Sequence, residues 1–451
     1  MINNSMICAA LDVGTTTVSA AVIDVTSGTQ IETFTLANDS TIPSEHSFEH
    51  VQDPARILAI AQELVSIILE KYPDVSCLGF TGQMHGILYV DSEGHAVSPL
   101  YTWQDGRGNL LLSDGRTYCE EIKDICGFSV STGFGLTTHY YNQKNRLVPK
   151  NASKICTVMD YLAMHFAGLS EPLIHPSNAA SLGLFDVFAC DYDRSAINKL
   201  GIDVSILPGL ASRAIGEYRG IPVAVAIGDN QASVFGSVAD EENAILVNYG
   251  TGSQVSVISD AVSAQQPLEV RPYLHGHNLI CGCALCGGSA YAILEGFFRA
   301  YSEACGNGNA SQYKTMDTLA ECAYKAQKSP LDVSTLFKGT RQDPSKRGYI
   351  GGLGEDNFTP GQLVLGTIHG MVNELYQMYA ASGEKRITLV ASGNAVQKGK
   401  VLQSVLSDTF GMDLVIPSNK EEAATGAAMF AALCADPSLD IQTVKGCIKY
   451  A

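Results

Sequence analysis

The chain contains no block of lysines and arginines, no apolar run long enough to span a bilayer, no low-complexity tract and only one tryptophan. Nucleic acids and anionic membranes both demand a basic surface. With a formal net charge of −17, this chain is expected to bind neither. A nucleotide stays open, because turn amides and a divalent cation neutralise phosphates locally. The opening residues MINNSMICAALDVG lack a basic segment ahead of their apolar run, and Asp12 interrupts that run. The expectation is therefore no signal peptide and a cytoplasmic location. Thirteen cysteines, an odd number scattered among apolar residues, read as reduced thiols. Cys281, Cys283 and Cys286 stand close together in LICGCALCGG. A structural zinc site wants four ligands in paired groups, so core packing is the expectation there, not metal.

What is present begins with LDVGTTTVSAAVID, an apolar strand ending at Asp12, a turn at Gly14, Thr15, Thr16 and Thr17, then a second strand. A related pattern, ILVNYGTGSQVSVIS, turns at Gly250, Thr251 and Gly252. Glycine lets backbone N–H groups approach an anion closely, and threonine adds a hydroxyl. A Walker loop needs Gly-Lys-Ser/Thr leading into a helix, and a dinucleotide turn must also open a helix. Here alternating apolar residues resume at once, which predicts strand-turn-strand. Either turn alone also fits an ordinary glycine-rich hairpin. Both together suggest two jaws for one polyphosphate.

The 451 residues exceed one typical core. Residues 1–239 are expected to form one lobe and 240–451 a second, with the boundary at the acidic stretch beginning at Asp240. Both halves read as α/β, open on a strand-turn-strand, and suggest an old duplication with a cleft between lobes. Asp53-Pro54 predicts a helix start, Pro360 opens a long helix, Lys400 to Phe410 is a helix stopped by Gly411, and Ser418 with Glu421 suggests a capping box for the last helix.

Asp12 and Asp229 each close an apolar strand, where a carboxylate projects outward. In phosphoryl transfer one aspartate can hold Mg²⁺ and another can accept the proton of the attacking hydroxyl. For Asp229 a helix N-cap role stands beside that reading. TGQMHG supplies Gln83, Met84 and His85, and TWQDGRG supplies Trp103, Asp105 and Arg107. Amide, imidazole, carboxylate and a flat aromatic face together suit a polyol. Taken singly, His85 also fits a loop histidine and Trp103 a core anchor.

The set LDVGTTT, GQMHG, TWQDGR, GDNQAS, NYGTGSQ and a late SGN loop resembles the FGGY family of carbohydrate kinases, in order over nearly the whole chain. The resemblance implies two actin-like (ribonuclease-H-like) lobes and ATP-dependent transfer to a sugar. GQMHG and TWQDGR are similar to the ketose-specific members. LEVRPYLHG, LCGGSAYAILEGFF, FKGTRQDPSKRGYIGGL and NFTPGQL are similar to sedoheptulokinases in particular. By position it implies Asp229 as catalytic base and, with Asp12, a Mg²⁺ site. It also implies Gly14–Thr17, Gly250–Gly252, Gly288, Gly393 and Asn394 at the nucleotide, and Gln83, Met84, His85, Trp103, Asp105, Asp229 and Asn230 at the sugar. One departure is the adenosine loop, Ala391-Ser392-Gly393-Asn394, where many members have three glycines. His139 and Lys144 receive no role. The expected activity is phosphorylation of the terminal hydroxyl of a ketose, sedoheptulose first, by a monomer or homodimer. A pentulose such as xylulose is the alternative within the family. An actin-like ATPase signalling to a protein partner is the alternative from another class, and a sugar-binding pseudokinase a further one.

Overall fold

In the computed structural model, residues 5–327, 330–340, 343 and 345–451 are described. The chain divides into two units. The first holds Met1–Ala239, Arg271–His277 and Ser418–Lys449, and the second Asp240–Val270, Asn278–Pro417 and Tyr450–Ala451.

The first unit is built on strands β1 (Ile7–Val13), β2 (Thr17–Asp24), β3 (Thr29–Ala37), β4 (Val75–Gly82), β5 (Ala214–Tyr218) and β6 (Ile221–Ala224), in sheet order β5-β6-β4-β1-β2-β3. β1, β2 and β3 form an antiparallel meander, β4 lies parallel to β1, and β6 parallel to β4. The second sheet uses β7 (Ala244–Tyr249), β8 (Ser253–Ser259), β9 (Glu269–Pro272), β10 (Asn278–Ala284), β11 (Thr388–Ser392) and β12 (Asp413–Val415), in order β9-β10-β8-β7-β11-β12. Again three strands, β7, β8 and β10, run as an antiparallel meander. β11 lies parallel to β7, and β12 parallel to β11. The duplication suggested by two glycine turns is therefore present as one strand plan used twice.

Local chemistry accounts for the main helices. Asp53 accepts a hydrogen bond from the Ala55 amide at 2.9 Å, and Pro54 opens the helix Pro54–Lys71. Its Ile57, Ile60, Ala61, Leu64, Val65 and Ile68 recur at helical spacing and are buried, each large one contributing about 1.5–3 kcal/mol. Thr359 caps Pro360–Ala381 through the Gln362 amide, and Gly411, at φ 62°, ends Lys400–Phe410.

Two expectations are corrected. The segment Ser418–Lys449 belongs to the first unit, not to a lobe running from 240 to 451. The cause is close backbone packing. A side-chain carbon on Gly426 would overlap the Ala232 carbonyl oxygen, and one on Gly236 the Glu422 carbonyl oxygen. The helix Glu422–Ala435 thus lies directly on the helix Asp229–Ser237. On the sheet side, a carbon on Gly79 of β4 would stand 2.5 Å from the Ala427 carbonyl oxygen. The proposed capping box is also absent. Glu421 precedes the helix at φ 53° with no side-chain cap, and the Ser418 hydroxyl donates instead to the Lys449 carbonyl at 2.9 Å.

Gly426→Ala tests this packing. Overlap with backbone should outweigh alanine's helix propensity and destabilise by at least about 1–3 kcal/mol. Gly296→Ala, in the helix Gly288–Ala304 with no atom within 4 Å of the added carbon, should stabilise by about 0.5–1 kcal/mol. Urea midpoints of the two variants decide it, and equal shifts would refute the packing account.

Candidate active site

The hairpin turn between β1 and β2 is held by its carbonyls. Asn38 Nδ2 donates to Gly14 O at 2.8 Å, Gln52 Nε2 to Thr15 O at 2.8 Å, and the Asn38 amide to Thr16 O at 2.9 Å. In a trans peptide the next N–H points opposite to the carbonyl. Each bond thus fixes one carbonyl and, opposed to it, the direction of the following Thr15, Thr16 or Thr17 amide, a group able to meet an anion. Asn38 and Gln52 are both buried. Neither was singled out in the sequence, because both act from 24 and 37 residues away.

Asp12 stands one residue before the end of β1, and three carboxylates bear on it. Burial first, then Asp229, Glu421 and Glu422, push its pKa up from 3.8 to about 7. Asp229 is the first residue of its helix, not the cap: Gly228 occupies that position at φ −61°, ψ 147°. The N-cap alternative is thereby set aside. Burial raises the Asp229 carboxyl to about 6, while the Asn230 amide and the Arg271 guanidinium pull it down. Met84 packs beside the preceding residue, since a carbon on Gly228 would stand 2.7 Å from its thioether sulfur. At the far end of the same helix the buried Lys445 ammonium donates to the Phe235 and Val238 carbonyls at 3.1 and 2.7 Å, so charge complements both helix ends.

His85 sits at φ 75° with its ring stacked on Phe134, centroids 4.5 Å apart. Its Nδ1 lies 2.9 Å from the Ser181 carbonyl, and its amide donates to the Ser181 hydroxyl at 3.1 Å. A carbonyl only accepts, so Nδ1 carries the proton. Ser181 Oγ donates in turn to the Asn178 carbonyl at 2.7 Å, and Asn178 Nδ2 donates to the buried Asp160 at 2.8 Å. Trp103 is no core anchor: its indole is 44% exposed, and Nε1 donates to Thr15 Oγ1 at 3.2 Å.

Asp105 departs from the expected sugar contact. It is fully buried, and it accepts the Arg107 amide, Nε and Nη2 and the His50 amide at 3.1, 2.6, 3.1 and 3.2 Å. Four donors exhaust a carboxylate. Arg107 continues to Asn142 at 2.7 Å and lies 4.1 Å from the Tyr101 ring centre. Asp105 therefore shapes the loop that carries Trp103. Among the residues left without a role, His139 pairs with the Tyr89 hydroxyl at 2.9 Å and Lys144 with Glu121 at 2.7 Å.

In the second unit the Gly250 carbonyl accepts the Gly288 amide at 2.8 Å, and the Thr251 carbonyl accepts Gly287 and Ser289 at 3.0 and 3.1 Å. By the same rule the Thr251 and Gly252 amides point away from those donors. Gly288, its N–H committed, contributes room for Gly250 instead of an amide. Gly393, at φ 98°, brings its loop onto the Tyr249 carbonyl, where a side chain would collide. Asn394 follows it, exposed. Cys281 and Cys283 share one face of β10, Cys281 buried, and the thirteen cysteines form no disulfide.

Residues 7–244 match the N-terminal domain, and residues 245–435 the C-terminal domain, of the FGGY family of carbohydrate kinases. The chain belongs to that family. A mouse sedoheptulokinase is 25% identical, aligned over 93% of this chain and 96% of its own length. A xylulose kinase of Staphylococcus xylosus is 22% identical, over 94% and 90%. The ligand-bound xylulose kinase of Lactobacillus acidophilus shares the fold at a TM-score of 0.84 and 17% identity, covering 99% of this chain and 92% of that one. This FGGY kinase thus has two actin-like, ribonuclease-H-like units, each with a glycine turn after its first strand. Among the described residues no helix is long and apolar enough to cross a membrane.

The carboxylate cluster has a measurable cost. The folded kinase holds the Asp12 proton to about pH 7, whereas an unfolded chain releases it near 3.8. Its contribution to stability is full below the lower value and is lost as pH rises through the higher one. Without added metal, Asp12→Asn should therefore stabilise the fold by about 1 kcal/mol or more at pH 8 and give no such gain at pH 4. Thermal melts at the two pH values check this, and a destabilised variant at pH 8 would contradict it.

Proposed function

We propose that this carbohydrate kinase transfers the γ-phosphoryl group of ATP to the terminal hydroxyl of a ketose, giving sedoheptulose 7-phosphate from sedoheptulose. The observation that carries this reading is Asp229. It is a partly exposed carboxylate at the first position of a helix, bonded by the Asn230 amide, with its pKa raised toward neutrality. A carboxyl titrating near 6 is ionised at neutral pH yet basic enough to take a proton. Met84 beside Gly228, and His85 with its proton held on Nδ1, support a sugar site next to it. Asn230 and Trp103 complete the groups we assign to the ketose. The sedoheptulokinase relative supports a seven-carbon ketose, and the xylulose kinase relative supports a pentulose as the second reading.

In this reading Asp229 orients the acceptor hydroxyl. The hydroxyl oxygen bonds to the γ-phosphorus as the bond to the β-phosphate oxygen breaks, and the proton passes to the Asp229 carboxylate. The Thr15, Thr16 and Thr17 amides receive charge on the transferring group. Gly250, Thr251, Gly252, Gly393 and Asn394 hold the nucleotide, with Gly288 supplying space. Asp12 and Asp229 fit Mg²⁺, a hard cation that takes one or two carboxylates and keeps its remaining places for water and phosphate. Among the described residues no group of three or more His, Cys, Asp or Glu side chains is placed to hold a metal ion. When bound, Mg²⁺ neutralises phosphate charge. Thirteen cysteines without a disulfide support a reducing, cytoplasmic setting.

Asp229→Asn should lower kcat at least about 100-fold in a coupled ADP-release assay. In the unaltered kinase kcat/KM should fall as pH drops through about 6, where the base gains its proton. Near-normal turnover in the variant would remove Asp229 from the mechanism. A panel of ketoses compared by kcat/KM tests the substrate: sedoheptulose should lead, and a higher value for xylulose would transfer the assignment to the pentulose.

A further inference from the structure

Both loops assigned to the sugar end on one residue of the phosphate turn. From the GQMHG loop, Gln83 Nε2 donates to Gln52 Oε1 at 2.8 Å, and Gln52 Nε2 donates to Thr15 O at 2.8 Å. From the TWQDGR loop, Trp103 Nε1 donates to Thr15 Oγ1 at 3.2 Å. The directions follow from chemistry alone. The Thr15 carbonyl only accepts, so Gln52 must present its NH₂ there and its oxygen to Gln83. Gln83 must then present NH₂ to Gln52, which leaves Gln83 Oε1 as the acceptor at the other end of the chain of bonds. That oxygen is buried without a protein partner among the described residues. Gln83 and Gln52 are themselves 6% and 2% exposed, so the chain is shielded from water.

A buried acceptor with no donor carries a cost that a ligand hydroxyl can relieve. A hydroxyl donating to Gln83 Oε1 polarises the amide and strengthens each bond down the chain to Thr15 O. A sugar packed on the Trp103 face fixes the indole, and with it the Thr15 hydroxyl. From this convergence we propose that Gln52 and Trp103 are positioning residues that couple ketose binding to the order of the phosphate turn. The acceptor sugar thereby tightens the grip on the triphosphate before transfer. The inference rests on the ketose reading above.

The test measures a coupling factor: the Kd of a non-hydrolysable ATP analogue without ketose divided by its Kd with saturating ketose, by calorimetry. In the unaltered kinase the factor should exceed about 5, the lower end of ordinary site-to-site coupling. Trp103→Phe keeps an aromatic face but removes the N–H, and the exposed position makes the change safe for folding. It should reduce the factor roughly three- to tenfold, the worth of one net hydrogen bond. Gln52→Glu keeps the acceptor for Gln83 but cannot donate to Thr15, and should reduce it at least as much. A factor unchanged in both variants overturns the proposal, as does a factor of one in a parent kinase that still releases ADP with ketose. A parent kinase with no ketose-dependent ADP release overturns the ketose reading itself.

Discussion

The crowding of carboxylates around Asp12 is the constraint on which the site depends. Asp229, Glu421 and Glu422 all bear on it, and burial removes the water that would screen them. Such an arrangement is unfavourable for the protein alone and is relieved by bound cation or proton. The architecture imposes it. β1 delivers Asp12 to its strand end, Gly228 turns the chain so that Asp229 begins a helix, and the Glu422–Ala435 helix starts beside them. Such electrostatic discomfort suits the transfer proposed above, in which ATP would arrive with a divalent cation.

The same economy appears in the turn between β1 and β2. Its glycine and threonines do not suffice to make an anion cradle. Asn38 and Gln52 take the carbonyls and so decide which way the amides face. Charge balance at Asp229 also relies on a distant contribution, Arg271, from a short segment that returns to the first unit after the second has begun.

What was legible in the sequence was whatever has a local signature. A glycine turn and renewed alternation identified both hairpins, and the first also closes its strand on aspartate. Asp53-Pro54 and Gly411 marked helix ends through their own backbone chemistry. Asn38, Gln52 and Arg271 were illegible because each acts on a group remote in the chain, and nothing in their neighbourhood reports that partner. Asp105 was misread for the opposite reason: its partner, Arg107, stands two residues away, and the pair D-x-R itself announced an internal ion pair. The return of Ser418–Lys449 to the first unit left a trace only in the small residues of EAATGAAMFAA, which permit close packing without saying against what.

That return makes the second unit, in topological terms, an insertion within the first. As the chain leaves the ribosome, the opening sheet is complete long before the helix that covers β1 and β4 has been synthesised. Until then the nascent sheet carries an uncovered apolar face, and Asp229 lies on a helix missing its partner. The unit that carries Asp12 and Asp229 is therefore completed last, and a chain shortened before that helix is exposed to aggregation and proteolysis.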